Sequence, residues 1–399
     1  MKNNITSFEI VEAPSKKQLV NYVRAEFKKQ FDNQPKHVTI TPGRVNIIGE
    51  HTDYNDGLAM PTAIDRWICA AACKSSNDSL TIYSLDYNES VTISFHTPNK
   101  FKGIWKQLAA EALHVITTEF TIKEGTNMVV GGNIPIGCGL SSSSAFVISI
   151  TQTFYRLFSI QMEDRQLARL CQKIENRTLG TAAGFLDQYG IILSKKNHFM
   201  VIDFQANTIG YIPVSLKNGC SWIVINSQVP RELSKSAYLQ RVNECKEGLE
   251  ILKGKFNIST FRDIDNSMLE GLKNESNVLY KRLCHVVNEN QRVCDMKDQL
   301  QQGTVQKVGK ILKESHKSLK SLYEVSCEEI DYIIKLSVDF DGWYGGRIIG
   351  GGFGGCSIHL VVDEGVENFN DYITTNYTKR FGIIPEIINV TFPGGLQYV

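Results

Sequence analysis

The sequence carries almost no net charge: 43 lysines and arginines stand against 42 aspartates and glutamates, leaving +1. Such a balance gives no global field to gather nucleic acid or an anionic membrane, so no nucleic-acid or membrane partner is expected and any polyanion must be held locally. No stretch reaches the roughly 18 apolar residues of a membrane span. The opening MKNNITSFEIVEAP has no apolar run behind a basic segment, so no secretory signal is expected and a cytoplasmic location is predicted. Close cysteine pairs are missing too: the ten cysteines run singly from Cys69 to Cys356, with only Cys69 and Cys73 near each other, and the eight histidines show no ligand spacing. Buried free thiols are predicted, rather than a disulfide frame or a zinc site. No G-x-x-x-x-G-K-[ST] occurs and no G-x-G-x-x-G opens a βα unit, which removes the Walker and dinucleotide fingerprints. Internal repeats and low-complexity linkers are absent.

What is present fits a soluble α+β protein. A chain of 399 residues is long enough for two or three domains and a large core, and 42% hydrophobic against 21% charged residues excludes bulk disorder. The 31 glycines are an average share, yet 18 of them fall in the segments 42–57, 131–139, 180–190 and 342–355. Residues 17–31 place Leu19, Tyr22, Val23, Phe27 and Phe31 on one helical face, and His37 to Ile40 read as a strand. Segments 67–73, 80–84 and 90–95 have the pattern of antiparallel strands, and 105–117 that of a helix. From about Ser221 the character changes: WIVIN (222–226) reads as a buried strand, followed by helical stretches over 233–254, 276–300 and 304–338 and strands at 347–349, 357–362 and 384–390. A boundary is placed near residue 210.

Three loops carry the chemistry. Met128 to Val130 end a strand, Gly131 to Leu140 hold four glycines and a proline, and Ser141 to Ser144 lead into an apolar helix through Ala145, Phe146, Ile150 and Phe154. The order strand, tight loop, helix N-terminus offers unpaired N–H groups and a positive dipole end to a phosphate chain, and a plain N-cap would need one serine, not four. Glu175, on a later helix, is positioned in sequence to supply the carboxylate a magnesium ion needs. The segment TPGRVNIIGEHTDYNDG (41–57) gathers Arg44, Glu50, His51, Asp53, Tyr54 and Asn55, groups that suit a neutral polyol, while Val45, Ile47 and Ile48 imply that the loop is anchored in a core. In LGTAAGFLDQYGIIL (179–193) the one acid, Asp187, reads as either structural or, beside a cation such as Arg44, as a group that accepts a proton from a substrate hydroxyl. Trp105 reads as core, with adenine stacking as the alternative.

These residues resemble the GHMP kinases and, within them, the galactokinase branch. PGRVNIIGEHTDYN (42–55) is similar to that branch's signature almost residue for residue, Pro135 to Ala145 to the family's phosphate loop, and GGRIIGGGFGGC (345–356) to its third glycine motif; Glu314 to Cys327 and Cys284 to Val287 add smaller likenesses. The resemblance implies ATP-dependent phosphorylation of the C1 hydroxyl of α-D-galactose. It implies an N-terminal lobe (1–210) like ribosomal-protein S5 domain 2, a ferredoxin-like C-terminal lobe (211–399), and a site between them. Carried over, Asp187 is the general base and Arg44 its electrostatic partner. Glu50, His51, Asp53, Gly184 and Tyr238 contact sugar hydroxyls. Gly137, Cys138, Gly139, Leu140, Ser141, Ser142 and Ser143 wrap the phosphates of ATP, and Ser142 or Ser143 with Glu175 holds Mg²⁺.

The departures bear on specificity. Asn176 stands where many relatives carry His, Leu186 where they carry Met, and 229–245 is shorter and lacks an arginine paired with Arg241. Parts of the chain (YLQRVNEC, IENRTLG) are more similar to N-acetylgalactosamine and galacturonate kinases, which keeps a related sugar 1-kinase as the alternative. A carboxylate at Glu50 is expected to repel a uronic acid, and His51-Thr52-Asp53 matches the galactose enzymes. A non-catalytic galactose and ATP sensor is a further alternative, disfavoured because Ser144 and Ala145 fill the place whose loss marks one such sensor.

Overall fold

The computed structural model describes residues 14–96, 101–120, 122, 124–214, 219–229 and 234–399. The amino-terminal segment up to residue 13, and residues 230–233 at the start of the helix expected over 233–254, lie outside them.

Strands β1 (His37–Asn46), β2 (Leu58–Ala59), β3 (Pro61–Ser75), β4 (Ser79–Ser84), β5 (Glu89–Ser94) and β6 (Gly125–Gly132) are interleaved with α1 (Lys16–Phe31) and α2 (Ile104–Glu119). Next come α3 (Ser142–Leu157), α4 (Asp164–Leu179), α5 (Leu186–Ile192), β7 (His198–Asp203) and β8 (Thr208–Pro213). The second half holds β9 (Cys220–Asn226), α6 (Ser234–Lys255), α7 (Asn266–Glu275), α8 (Asn277–Gln302), α9 (Val305–Ser318) and α10 (Glu328–Val338). It ends with β10 (Trp343–Ile348), β11 (Cys356–Val362), α11 (Val366–Phe381), β12 (Glu386–Val390) and β13 (Gln397–Tyr398).

The larger sheet has the order β13-β1-β3-β6-β4-β5, antiparallel except for the β4–β6 pair. Its central strands β1, β3 and β6 are buried on both faces because both are covered, whereas β5 at the edge alternates buried Val91 and Ile93 with exposed Ser90 and Thr92. On β3, Cys69, Ala71 and Cys73 point to α1, whereas Ile68, Ala70 and Ala72 join the main core with α3. The capping box of Ser15 and Gln18 starts α1, which buries Leu19, Val20, Val23 and Phe27. Tyr22, expected on that face, is 58% exposed, because the buried stripe is centred on Val20 and Val23.

The second sheet is wholly antiparallel, in the order β10-β11-β9-β12. On β9, Ile223 and Ile225 pack among the C-terminal helices while Trp222 and Val224 share the core of the larger sheet. A small sheet, β2-β7-β8, lies under the loop that follows β1. The chain also returns at its end, where β13 pairs with β1 at Thr39 and Ile40.

The single helix expected over 304–338 is three pieces. After Ser318 the chain makes a π-helical turn, Leu319–Tyr323, then Glu324 turns left-handed (φ 56) and α10 begins at Glu328. Neither Pro nor Gly occurs between residues 310 and 338. The break comes from elsewhere: Arg241 donates to the carbonyls of Tyr323 (2.7 Å) and Glu324 (3.2 Å), and Arg282 to that of Leu322. Among the described residues no helix is long and apolar enough to cross a membrane, and none of the ten cysteines is in a disulfide.

Candidate active site

Strand β1 delivers the first groups. Its register with β3 shifts between Pro42 and Gly43, a bulge that re-aims the following side chain. Arg44 is 5% exposed and donates through Nε to Asp187 Oδ1 (2.8 Å), through Nη2 to the same oxygen, and through Nη1 to the carbonyl of Gly139 (2.6 Å). Its own N–H donates to Leu140 O at 3.2 Å. One guanidinium thus joins the acid at the start of α5 to the loop before α3. The two residues separated by 143 positions in sequence are in contact.

Beyond β1 the chain enters residues 47–57, where Ile47 and Ile48 are fully buried. Gly49 takes φ 92, and a Cβ there would lie 2.4 Å from Leu58 O, so only glycine fits. The loop's polar groups are held largely by distant elements. Glu289 of α8 accepts from Gly49 N (3.1 Å), Asn290 from Leu58 N (2.8 Å), and the His285 ring donates from Nε2 to Glu50 O (3.1 Å). Arg347 of β10, fully buried, donates to the carbonyls of Asn46 (2.6 Å) and Ile47 (2.8 Å) and to Glu50 Oε1 (3.2 Å). Gly350 N also donates to Glu50 Oε1 (2.7 Å), and Asn46 Nδ2 to Oε2 (2.9 Å). Glu50 therefore carries a paired charge, and the repulsion it exerts on a uronate is smaller than an unpaired carboxylate would give.

Two confluent cavities meet at Arg44, Ser143 and Asp187. The first, about 400 Å³, is lined by Glu50, His51, Asp53, Gly184, Asp187 and Tyr238 among others. A Cβ on Gly184 would lie 2.5 Å from Asp53 Oδ2, which explains glycine at that position. Asn176, one of the departures noted above, holds the Gly184 loop: it donates to Ala183 O (3.1 Å) and accepts from Ala183 N (3.1 Å) and Thr181 Oγ1 (2.8 Å). The second cavity, about 750 Å³, is lined by Gly137, Cys138, Gly139, Ser141, Ser142 and Ser143 on one side and by Asn226, Gln228 and Gly351 on the other. Gly137, Gly139 and Ser141 take φ 74, 92 and 60, which turns the chain into the N-terminus of α3. The Leu140 side chain is fully buried, so its part in the loop is its backbone. Trp105 is 6% exposed, stacked on Tyr87 at 5.7 Å and hydrogen-bonded to Glu89, a core residue rather than a free platform.

At the floor between the cavities, Glu175 accepts from Ser143 Oγ, Ser144 Oγ (2.6 Å) and Gln188 Nε2 (2.8 Å). Burial, then the charge of Asp187, push its carboxyl up to about 7, against the lowering effect of the serine hydroxyls. Asp53 is likewise pushed up to about 7 by burial and by the charges of Asp187 and Glu50. Crowded carboxyls with raised pKa values mark a place where a cation or hydroxyl donors complete the charge balance. Among the described residues no group of three or more His, Cys, Asp or Glu side chains is arranged to hold a metal ion. A magnesium ion that takes most of its oxygens from phosphate and water needs only one carboxylate and a hydroxyl, and Glu175 with Ser143 offers both, with Ser142 beside them on the cavity wall.

Sequence reasoning had gathered Arg44, Glu50, His51, Asp53, Gly184, Asp187 and Tyr238 by motif, and all line one cavity. It gave no role to Arg347, His285, Glu289, Asn290 or Tyr323. Arg347 lay inside a glycine motif, His285 inside the Cys284 to Val287 likeness and Tyr323 inside the Glu314 to Cys327 likeness; Glu289 and Asn290 had no signal beyond polar character on a helical stretch.

Residues 25–74 match the galactokinase galactose-binding signature, 99–195 the GHMP kinases N terminal domain and 296–377 the GHMP kinases C terminal domain. The chain is 34% identical to the galactokinase of Thermosipho africanus over 358 residues, 90% of this chain and 98% of the relative. It is 35% identical to that of Pyrococcus furiosus over 341 residues, 86% and 93% of the two chains. The crystal structure of Lactococcus lactis galactokinase complexed with galactose superposes with a TM-score of 0.90 at 26% identity, covering 96% of this chain and all of that one. A crystal structure of mevalonate kinase, at 20% identity and a TM-score of 0.61 over 90% of this chain and 99% of that one, shares the fold.

Proposed function

The chain belongs to the GHMP kinases and, within them, to the galactokinases, and from that premise we propose how its own residues phosphorylate galactose with ATP. The observation that carries the reading is the Arg44–Asp187 pair at the junction of a cavity lined by sugar-type polar groups and a cavity lined by the glycine–serine loop. ATP takes the second cavity and the sugar the first. We keep the division into lobes 1–210 and 211–399, with the site between them.

Phosphoryl transfer needs alignment and charge neutralisation more than covalent help. The C1 hydroxyl is presented to Asp187, which accepts its proton as the oxygen attacks the γ-phosphorus and the bond from that phosphorus to the β–γ bridging oxygen breaks, releasing ADP. Arg44 aims Asp187 through two hydrogen bonds and stays beside the negative charge that develops at the transferring group. The N–H groups of residues 137–143 and the start of α3 hold the phosphate chain. Glu175 with Ser143, or Ser142 next to it, would hold Mg²⁺, which would offset the charge of the phosphate chain. Glu50, His51, Asp53, the Gly184 backbone and Tyr238 meet the sugar hydroxyls. Free thiols and a need for ATP support a cytoplasmic location.

Incubation with ATP, Mg²⁺ and single sugars tests this. ADP formation is expected with galactose and not with galacturonate or N-acetylgalactosamine; a chain that turns over another hexose and leaves galactose untouched would overturn the substrate.

A further inference from the structure

His51 sits in the left-handed region (φ 63), is 4% exposed, and lines the sugar cavity. Its Nδ1 lies 2.7 Å from the Tyr54 hydroxyl, whereas Nε2 is buried with no hydrogen-bond partner among the described residues. The Tyr54 hydroxyl is 2.9 Å from that of Tyr323, and the Tyr323 hydroxyl 3.1 Å from Cys245 Sγ. His51, Tyr54, Tyr323 and Cys245 thus form one line with three gaps to fill. Two phenols and a thiol bring one proton each. If Nδ1 also carried a proton, the thiol's proton would have to leave the line for Asn55, the other side chain bonded to Cys245; if Nδ1 accepts, each gap holds one proton from within the line and the imidazole proton lies on Nε2.

The line starts from a turn that is held from outside. Tyr323 ends the π-helical turn, whose carbonyls at 322, 323 and 324 receive the guanidinium groups of Arg241 and Arg282. Glu244 binds both arginines, at 3.1 and 2.7 Å, and the Glu324 carboxylate closes the network on Arg282 at 2.7 Å. Arg241, Glu244 and Arg282 are all at least nine-tenths buried. Tyr323 itself is fully buried with its ring 4.6 Å from that of His51. Such turns recur at functional sites because they displace one side chain from the helical path.

We propose that Tyr323 and Tyr54 are positioning residues for sugar recognition: they hold the His51 ring and fix its tautomer, so that Nε2–H is a donor aimed at an acceptor oxygen of the sugar, with the buried Arg241–Glu244–Arg282 network holding the turn that places Tyr323. Burial keeps His51 neutral, well below the usual histidine range, with the charges of His285 and Arg241 acting the same way. The thiol of Cys245 is pushed up to about 11 by burial, which keeps its proton available to Tyr323. The inference rests on the galactose reading above and adds the device that orients one of its contacts.

The test uses the full chain labelled with ¹⁵N-histidine, the His51 ring assigned by its loss in His51→Ala. The ring nitrogens of the unaltered protein are expected to report a single neutral tautomer with the proton on Nε2. In Tyr323→Phe the packing stays, but Tyr54 is free to act as donor or acceptor, so a mixture of tautomers is expected. Galactose KM should rise by about threefold in Tyr323→Phe and about tenfold in Tyr54→Phe, the worth of one hydrogen bond of ordinary strength. kcat should stay within about twofold and KM for ATP should not move, a split that general loosening would not produce. The double variant should be no worse than Tyr54→Phe, because both act through one line. A proton on Nδ1 in the unaltered protein, an unchanged tautomer in Tyr323→Phe, or additive effects would overturn the proposal. If the unaltered protein made no galactose-dependent ADP, the functional reading would fail while the ring spectra still decided the tautomer.

Discussion

Residues 135–141 make their turn largely by local means: Gly137 and Gly139 at positive φ, a left-handed Ser141, and the N-terminus of α3 immediately after, with Arg44 the main outside strap. Residues 47–57 are held from afar, by Glu289 at a sequence distance of 240, His285 at 235 and Arg347 at 297 from their partners in the loop. The phosphate chain is the same in every nucleotide, so a loop of glycines and N–H groups suffices to meet it. A sugar is read by the direction of each hydroxyl, and directing side chains to that tolerance requires buried partners on other elements. The difference extends to charge. In the brace, Glu289 is held down to about 2 by Arg292, His285, Arg347 and the Ser315 hydroxyl, against the opposing effect of its burial, and burial keeps His285 near 4 and neutral. In the site, Asp53 and Glu175 are pushed the other way, to about 7.

Arg347→Met attacks the contrast most directly. It strands Glu50 as a buried carboxylate, and about 3–5 kcal/mol of stability should be lost in urea unfolding. If the loss were under about 1 kcal/mol, the loop would be self-supporting after all. Asp187→Ala removes the proton acceptor without touching the brace: kcat should fall by at least ~10²-fold with fold and thermal midpoint retained. Near-normal turnover would reassign the base.

The opposite charge shifts give opposite pH signatures. For Glu289 and His285 the folded pKa lies below the unfolded one, so the unfolded chain binds more protons; their stabilisation is present above the unfolded values and is lost as pH falls, from about 6.5 toward 4 for His285 and from about 4.5 toward 2 for Glu289. For Asp53 and Glu175 the folded pKa is the higher, so their contribution is lost as pH rises from about 4 through 7. Asp53→Asn should raise the thermal midpoint at pH 8 by a few degrees while weakening galactose binding, the trade between stability and activity expected where like charges are crowded for function. An unchanged or lowered midpoint would show that Asp53 is not strained. In the unaltered enzyme, kcat/KM for galactose should rise as pH passes through about 7, because both carboxyls act ionised; a flat profile from pH 6 to 8 would count against their roles. The smallest effect is expected from Asn176→Ala, which frees the Gly184 loop: galactose KM up about three- to tenfold, with ATP KM unchanged.

The motif residues were legible because their chemistry is concentrated along the chain: a glycine–serine loop before an apolar helix, and six polar groups among three glycines at 43–57. The strands at 37–40, 67–73, 80–84 and 90–95 were legible from short β-branched or aromatic runs, whereas β2 and the pairing register were not. The stripe of α1 was misplaced at Tyr22 because two faces one residue apart score alike until the sheet beneath selects one. The break at 319–327 was illegible because no residue there disfavours helix, and the arginines that capture its carbonyls come from α6 and α8.

The sequence by itself determined the α+β class, the family, both loops and the acid–arginine pair as candidates, since each depends on local order or on residue types at short spacing. The tertiary structure alone decided that Arg44 touches Asp187, that Arg347 pairs with Glu50, that Ser143 rather than Ser142 bonds Glu175, and that Tyr323 reaches His51 through Tyr54. Those are distances between groups up to about 300 residues apart, and they follow from which faces two sheets and their helices bury together, a quantity that no local spacing carries.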